Sequence, residues 1–446
     1  MKPTMSRWFV TASLLLACLM PATARTRPRY GGTLHIETRS DPLKAPDGIA
    51  RPLLFDTLTQ VGENGQVLPG LAVSWQSQSV NHRWQFYLRS GVHFHDGSPL
   101  TPEAVVESLA QACGHCAWHV RALPDSVIIT SESPVPGMPA ELARRNYAIT
   151  RRDDNGKPDG TGPFRFVADE NGILFLAAND GSWQGRPFVN AIEIYGNRPI
   201  RTQWLDFTVG KADLVEIPPE LIRAAQQERM PLVESARPTD LLALTMSDQK
   251  ITDEHLRESI ALALDRMALF NVIFQKQGEV TASLLPNALS GYSFLFPTAA
   301  NPQRSRELRG SQSIPLRLAT DTSNAVLQLV AERLALNLRD AGWNMQVVSQ
   351  ATTPDAALVL RLVHVEAADA PSELRETMED FGGTPHDDAS DPAALYRTER
   401  SFLQSYNVVP LLYLPRAYGV SPRVHNFVLA PDGTPLLTNV SLEDAK

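Results

Sequence analysis

Two cysteines three positions apart, Cys113 and Cys116, have the spacing in this chain that most directly suggests chemistry, with His115 between them and His119 just beyond. A C-x-x-C pair acts as a thiol redox centre when it follows a strand and opens a helix, because the helix N-terminus stabilises the thiolate. Here the pair falls at the expected C-terminal end of a helix, where the dipole works the other way. Ala117 follows Cys116, which excludes a haem attachment site. Cys113, His115, Cys116 and His119 could supply metal ligands, but four ligands within seven residues strain tetrahedral geometry. A purely structural pair, as a local disulfide or as unlinked thiols, is the third reading, and in an oxidising compartment the disulfide between Cys113 and Cys116 is the simplest outcome. No resident metal or cofactor is expected.

Other candidates are quieter. Asp265 and Arg266 read as a structural ion pair at a helix end. Gly160-Thr161-Gly162-Pro163-Phe164 has the glycines of a tight bend, but no helix start with Lys-Ser/Thr follows, so it is not a phosphate cradle. The chain holds no G-x-S-x-G, H-E-x-x-H or P-loop pattern, so a binding protein is expected rather than an enzyme.

The elements that must position these residues are legible from Leu68 to Leu109. Trp84, Phe86 and Leu88 alternate with Gln85, Tyr87 and Arg89, which predicts a strand with one buried face. Val92 and Phe94 repeat the alternation against His93 and His95, and Asp96-Gly97 closes a turn. Thr101 is the expected N-cap, with Pro102 at the first helical position, where its missing N–H costs nothing. Further on, Leu241 to Met246 is a continuous apolar strand. Thr252 is expected to cap a helix whose stripe is Leu256, Ile260, Ala263, Met267 and Phe270. Ile314 to Ala319, a helix marked by Leu327, Val330, Leu334, Leu338 and Ala341, and the strands Met345 to Val348 and Ala357 to Val365 predict a parallel sheet covered on both faces. In the last strand Leu360, Leu362 and Val363 are expected to face the core. Glu366 to Glu399 is short, polar and acidic and reads as exposed, linker-like structure with solvated acids.

A length of 446 residues suggests two or three domains. The formal net charge of −8 and the absence of a basic run argue against nucleic acid or anionic membrane surfaces as partners. Lys2 and Arg7, the apolar run Trp8 to Met20 and the Ala22-Thr23-Ala24 site read as a signal peptide over 1–24. Its removal takes the charge from −8 to −10, so an acidic periplasmic protein is expected. Leu15-Leu16-Ala17-Cys18 approximates a lipobox, which leaves a lipid anchor at Cys18 as the alternative to a soluble form.

The pattern "P-x-LA-x-SW … W-x-F-x-LR-x-GV-x-F-HDG-x-PLT-x-E-x-V-x-x-SL" between Pro69 and Leu109 resembles the family 5 extracellular solute-binding proteins, the peptide- and nickel-binding partners of bacterial ABC importers. Gly31-Gly32-Thr33-Leu34 resembles the family's "GGTL" opening, Leu53 to Val61 its "L-x-D-x-LT" turn, residues 160–164 its "GTGPY/F" motif, and Arg257 to Arg266 its "R-x-A-x-x-x-A-x-D-R" helix. The resemblance covers nearly the whole chain after residue 24. It implies a two-lobed α/β periplasmic-binding fold of type II with a reduced second lobe: 25–245 and 410–446 forming the first lobe, 246–409 the second. It also implies a monomer that captures a small solute or peptide by hinge closure and delivers it to ABC permease subunits, the membrane being met only there or through Cys18. Strands near Leu241–Met246 and Val408–Leu412 are expected to be the only covalent links between lobes. The candidate ligand-binding residues are Arg39, Asp41, Thr245, Arg361 and His364, the last two placed on one basic wall. In the family, the long segment after the last second-lobe strand supplies an aspartate that pairs with a peptide's amino group, and no residue of 366–399 matches it. A non-transporting sensor or interaction module is the alternative function, and a thiol oxidoreductase built on Cys113 and Cys116 a more distant one.

Overall fold

The computed structural model describes residues 29–443 except 46–47, 63–64, 115, 228–232, 293–294, 313, 323, 367–368 and 384–390. The signal peptide, Cys18 and His115 lie outside the described residues.

Two long strands organise the molecule, Val233–Met246 and Val408–Val420. The second is buried along nearly its whole length, and Leu241 to Leu244 of the first are fully buried. A run that is apolar on both faces needs cover on both faces, and this places the pair side by side at the centre of an eleven-stranded sheet. On one flank come Leu214–Ile217, Thr33–Glu37, Ala191–Tyr195, Ile173–Ala178 and Phe164–Glu170. On the other come Leu358–His364, Pro315–Thr320 and Asn344–Ser349, the last three pairing in parallel with each other.

Each flank has its own cores. Leu34, Ile36, Phe164, Ile192 and Ile194 fill the first flank. A separate four-stranded sheet of Ala72–Gln78, Arg83–Leu88, Ser126–Ser131 and Trp118–Ala122 packs Trp84 and Phe86 against Val105 and Leu109 of the helix Pro102–Cys113. That helix starts as expected, with Thr101 Oγ1 accepting from the Ala104 N–H. On the second flank, alternate residues of the long strand enter different cores. Leu242 and Leu244 meet the helix Ala325–Asp340, while Leu241 and Ala243 face the opposite layer.

The opposite layer corrects the expectation of linker-like structure after Glu366. Ala370–Asp380 and Pro392–Leu403 are helices, each capped by an aspartate, Asp369 and Asp391, directly before a proline-bearing first turn. Leu374, Met378, Leu395 and Leu403 seat them on the sheet, which would otherwise expose Leu241 and Val365. Two of the acids expected to be solvated, Glu373 and Glu399, are buried. Leu362 is 41% exposed, so the core face of its strand is narrower than expected. Asp253, not Thr252, caps the next helix, which ends at Ala263, so Met267 lies outside its buried stripe and is 47% exposed. Asp265 and Arg266 do not pair with each other. Asp265 accepts from the Ala268 N–H, and Arg266 Nε donates to the Pro410 carbonyl at 2.9 Å.

Between the flanks the two long strands change partners. Val420 to Ala417 pair with Leu214–Ile217, and Ser235 still faces Ala417, whereas from Asp240 onward the first strand pairs with Leu358–His364. At the changeover Pro238 faces Pro415, with register shifts on either side. Neither proline has an N–H to give, so the ladder is interrupted on both strands at one level. The changeover thus lies within the strands, at the level of Pro238 and Pro415.

Candidate ligand cavity between the two flanks

One wall of an interflank cavity begins with a glycine-dependent contact. A Cβ on Gly160 would lie 2.1 Å from the Leu54 carbonyl oxygen, and one on Gly162 2.5 Å from that of Leu53. Only glycine lets the 160–163 loop lie on the short helix Arg51–Leu54. Thr161, between the glycines, donates through Oγ1 to Asp56 Oδ2 at 2.8 Å, and Trp183 Nε1 donates to the same oxygen at 2.8 Å. Gln184 Nε2 donates to Asp56 Oδ1 at 3.1 Å. Burial pushes the Asp56 carboxyl up despite these three neutral donors.

The cavity holds about 230 Å³ and is lined by Arg51, Asp56, Gln184, Arg145, Glu366 and Asp432 among others. Arg51 and Asp56 come from the first flank, and Glu366 follows the second-flank strand Leu358–His364. Asp432 belongs to the turn between the short strands Val428–Leu429 and Pro435–Leu436.

Most of these charges are already committed. Arg145 bonds Asp432 and Thr434, and Thr434 also donates to Asp432 from N–H at 2.9 Å and from Oγ1 at 2.8 Å. His364 stands behind, its Nδ1 2.7 Å from Asp240 and its Nε2 3.8 Å from Asp432. Arg416 Nε donates to Asp240 at 3.0 Å. Burial alone would raise the Asp432 carboxyl, but Arg145 and His364 hold it well below the carboxylate range. Burial and Arg416 would lower the His364 imidazole, yet its hydrogen bond to Asp240 and the nearby Asp432 carboxylate leave it raised, favouring the imidazolium.

Beside the cavity the flanks meet through charge. Arg144 contacts Glu373, with Nη1 at 3.6 Å, and Glu376, while Arg375 Nη2 donates to Glu141 at 3.0 Å. The Arg145 N–H donates to Glu366 at 3.3 Å. The Arg144 and Glu373 side chains are 4% and 2% exposed. Burial would lower the Arg144 guanidinium, but Glu373, Glu366 and Glu141 outweigh it and raise it.

The residues singled out from the sequence lie elsewhere. Arg39 donates from N–H and Nε to Glu216, at 2.8 and 3.0 Å. Asp41 accepts from the N–H groups of Leu43 and Lys44. Thr245 Oγ1 donates to the Val359 carbonyl within the sheet. Arg361 bonds the Asp380 carbonyl, its guanidinium carbon 5.1 Å from the Phe381 ring centroid. None of these four lines the cavity, and His364 reaches it only through Asp432. Arg361 and His364 cannot share a wall: strand side chains alternate, so residues three apart take opposite faces. Sequence reasoning misses Arg51, Asp56, Arg145, Glu366 and Asp432. Asp56 lies inside the "L-x-D-x-LT" stretch but reads there as part of a turn, and Arg145 carries no local signal. Cys113 ends its helix with its Cα 5.2 Å from that of Cys116 and the two sulfurs at bonding distance. His119 sits on the strand Trp118–Ala122, exposed.

Comparison with known proteins gives one family match: the bacterial extracellular solute-binding proteins, family 5 middle region, over residues 66–361. YhjP of Bacillus subtilis is 30% identical over 152 residues, 31% of this chain and 26% of that protein. The HTH-type transcriptional regulator SgrR of Yersinia pestis is 29% identical over 154 residues, 32% of this chain and 28% of the regulator. The chain thus matches about a quarter of the length of those relatives. A Pseudomonas aeruginosa protein named "Probable di/tripeptide-binding protein 5" is 25% identical over 395 residues, 74% of each chain. Among solved structures, NikA from Staphylococcus aureus in complex with Ni(L-His)2 superposes with a TM-score of 0.79 at 16% identity, over 92% of this chain and 100% of that one. DppA from Helicobacter pylori in complex with the peptide STSA gives 0.80 at 17% identity, over 93% and 99%. At these identities the likeness is one of fold: mixed α/β with two domains.

Proposed function

The chain belongs to the bacterial extracellular solute-binding proteins of family 5, and from that premise we propose that it is the substrate-binding component of an ABC importer. It is exported to the periplasm, works as a monomer, captures a small solute between its two lobes and presents it to permease subunits. It performs no reaction. The first lobe comprises the first flank with the four-stranded sheet, the second lobe the second flank, and closure bends the long strands at Pro238 and Pro415.

The observation that carries this reading is a cavity whose charged lining comes from both lobes. A solute that touches Arg51 and Glu366 together gains contacts only when the lobes are closed, and such differential affinity is what shifts an open–closed equilibrium. Family relatives carry names that refer to peptides, but this cavity is small, and the solute here need not be a peptide. Small-angle scattering tests the proposal. Protein stripped of bound solute should be more extended, and should contract on adding the solute identified by native mass spectrometry of unrefolded material. A profile unchanged at saturation would count against hinge closure.

The stretch shared with SgrR favours a second reading, in which the same fold senses a solute without transporting it. A permease gene beside this one, whose deletion abolishes solute uptake, would decide for transport.

A further inference from the structure

Among the charged groups that line the cavity, two have capacity to spare. Arg145 and Asp432 are spent on each other and on Thr434, and Asp56 is held by three neutral donors. The Arg51 guanidinium has no hydrogen-bond or ion-pair partner among the described residues. It feels burial and Arg145, which lower its pKa, and Glu366, which raises it. Glu366 takes one long bond, from the Arg145 N–H at 3.3 Å, and besides Arg51 otherwise only feels the charge of the nearby Arg144. Arg51 and Glu366 are one cation and one anion, in electrostatic contact but too far apart to pair, and they stand on opposite lobes. A half-buried unpaired charge is costly, so each is a place for a ligand group of opposite sign.

We propose that the cavity takes a zwitterion the size of a single amino acid, its carboxylate on Arg51 and its ammonium on Glu366. This ligand class rests on the solute-receptor reading and goes beyond it. A simple anion would meet Arg51 but be repelled by Glu366, and a simple cation the reverse. Only a molecule carrying both charges answers both walls. Size limits it further. At about 230 Å³ the cavity is smaller than the roughly 300–1,000 Å³ of drug-sized sites. The ligand is therefore compact, an amino acid or an analogue of similar size. Because its two charges engage different lobes, the zwitterion is itself the tie that closes them.

Calorimetric titration of the mature protein with each of the twenty standard amino acids, their amides, their N-acetyl derivatives and a panel of di- and tripeptides tests this. At least one free amino acid should bind, and its amide and N-acetyl forms should each bind about thirty-fold more weakly. Arg51→Gln should abolish the discrimination against the amide alone, and Glu366→Gln that against the N-acetyl form alone, with Arg51→Lys retaining part of it. Folding of each variant is checked by circular dichroism. Tripeptides binding more tightly than any amino acid, or discrimination unaltered in both variants, would overturn the assignment. If no amino acid binds yet a neutral solute contracts the scattering profile, the zwitterion is refuted and the solute receptor stands. If no solute binds or contracts the protein, both fall.

Discussion

The Arg144–Glu373 contact offers the sharpest test of lobe closure. Both side chains are nearly inaccessible and come from opposite flanks, so if the proposed lobes part, both are exposed to water. Arg144→Met removes the guanidinium but keeps the apolar stem. In the closed form Glu373 then stays buried without Arg144, a change that costs at most about 3–5 kcal/mol because Glu373 keeps a further contact. In the open form Glu373 meets water and that cost disappears. The neighbouring Arg375–Glu141 pair is partly exposed and contributes little. Taking about 3 kcal/mol, the closed-to-open ratio falls about 100-fold. If the solute binds the closed form, its affinity falls by up to the same factor. Scattering should report a larger radius of gyration, and titration a weaker Kd with unchanged stoichiometry. Arg144→Met combined with Glu373→Leu removes both charges and should restore much of the closed population. A single variant within twofold of wild type in affinity, with a superimposable scattering profile, would refute the reasoning, as would a double variant no better than the single one.

Two further outcomes are expected. Burial raises the Glu399 carboxyl to about 7 although Tyr292 and the N–H groups of Leu284 and Leu285 favour its charged form. The folded state therefore holds the proton more tightly than the unfolded chain, whose reference value is 4.5. Stability from this group is thus highest below that reference and falls by about 3 kcal/mol as pH rises towards neutrality. Glu399→Gln should flatten this slope in urea titrations between pH 4.5 and 7.5, and an unaltered slope would exclude Glu399 as its source. Cys113 and Cys116 should be oxidised in the exported protein, so thiol titration of freshly prepared denatured material should find no free cysteine. Two free thiols would refute this, and a diacylglyceryl mass increment on Cys18 would establish the anchored form.

Local patterns carried much of the fold. Alternation at Trp84 and Phe86, the Thr101-Pro102 start and the apolar run at Leu241 each have a cause within a few residues, and the structure keeps them. The helices after Glu366 were hidden because their caps, Asp369 and Asp391, lie in an acidic string that composition alone reads as solvated. Their burial depends on an uncovered sheet face, which no local window shows. Arg51 and Glu366 stand more than 300 positions apart, and only the topology makes them neighbours. For Arg361 and His364 the strand's own period already places the two side chains on opposite faces.

The facing prolines 238 and 415 bear on how the molecule comes apart. Each flank owns its cores, and the strands that join them lose hydrogen-bond donors at one shared level. Denaturation is therefore free to proceed flank by flank, each as its own cooperative unit. A ligand gripping both sides joins what the prolines separate. It should draw two melting events towards one, so the cooperativity of unfolding becomes a measure of how firmly the cavity is filled.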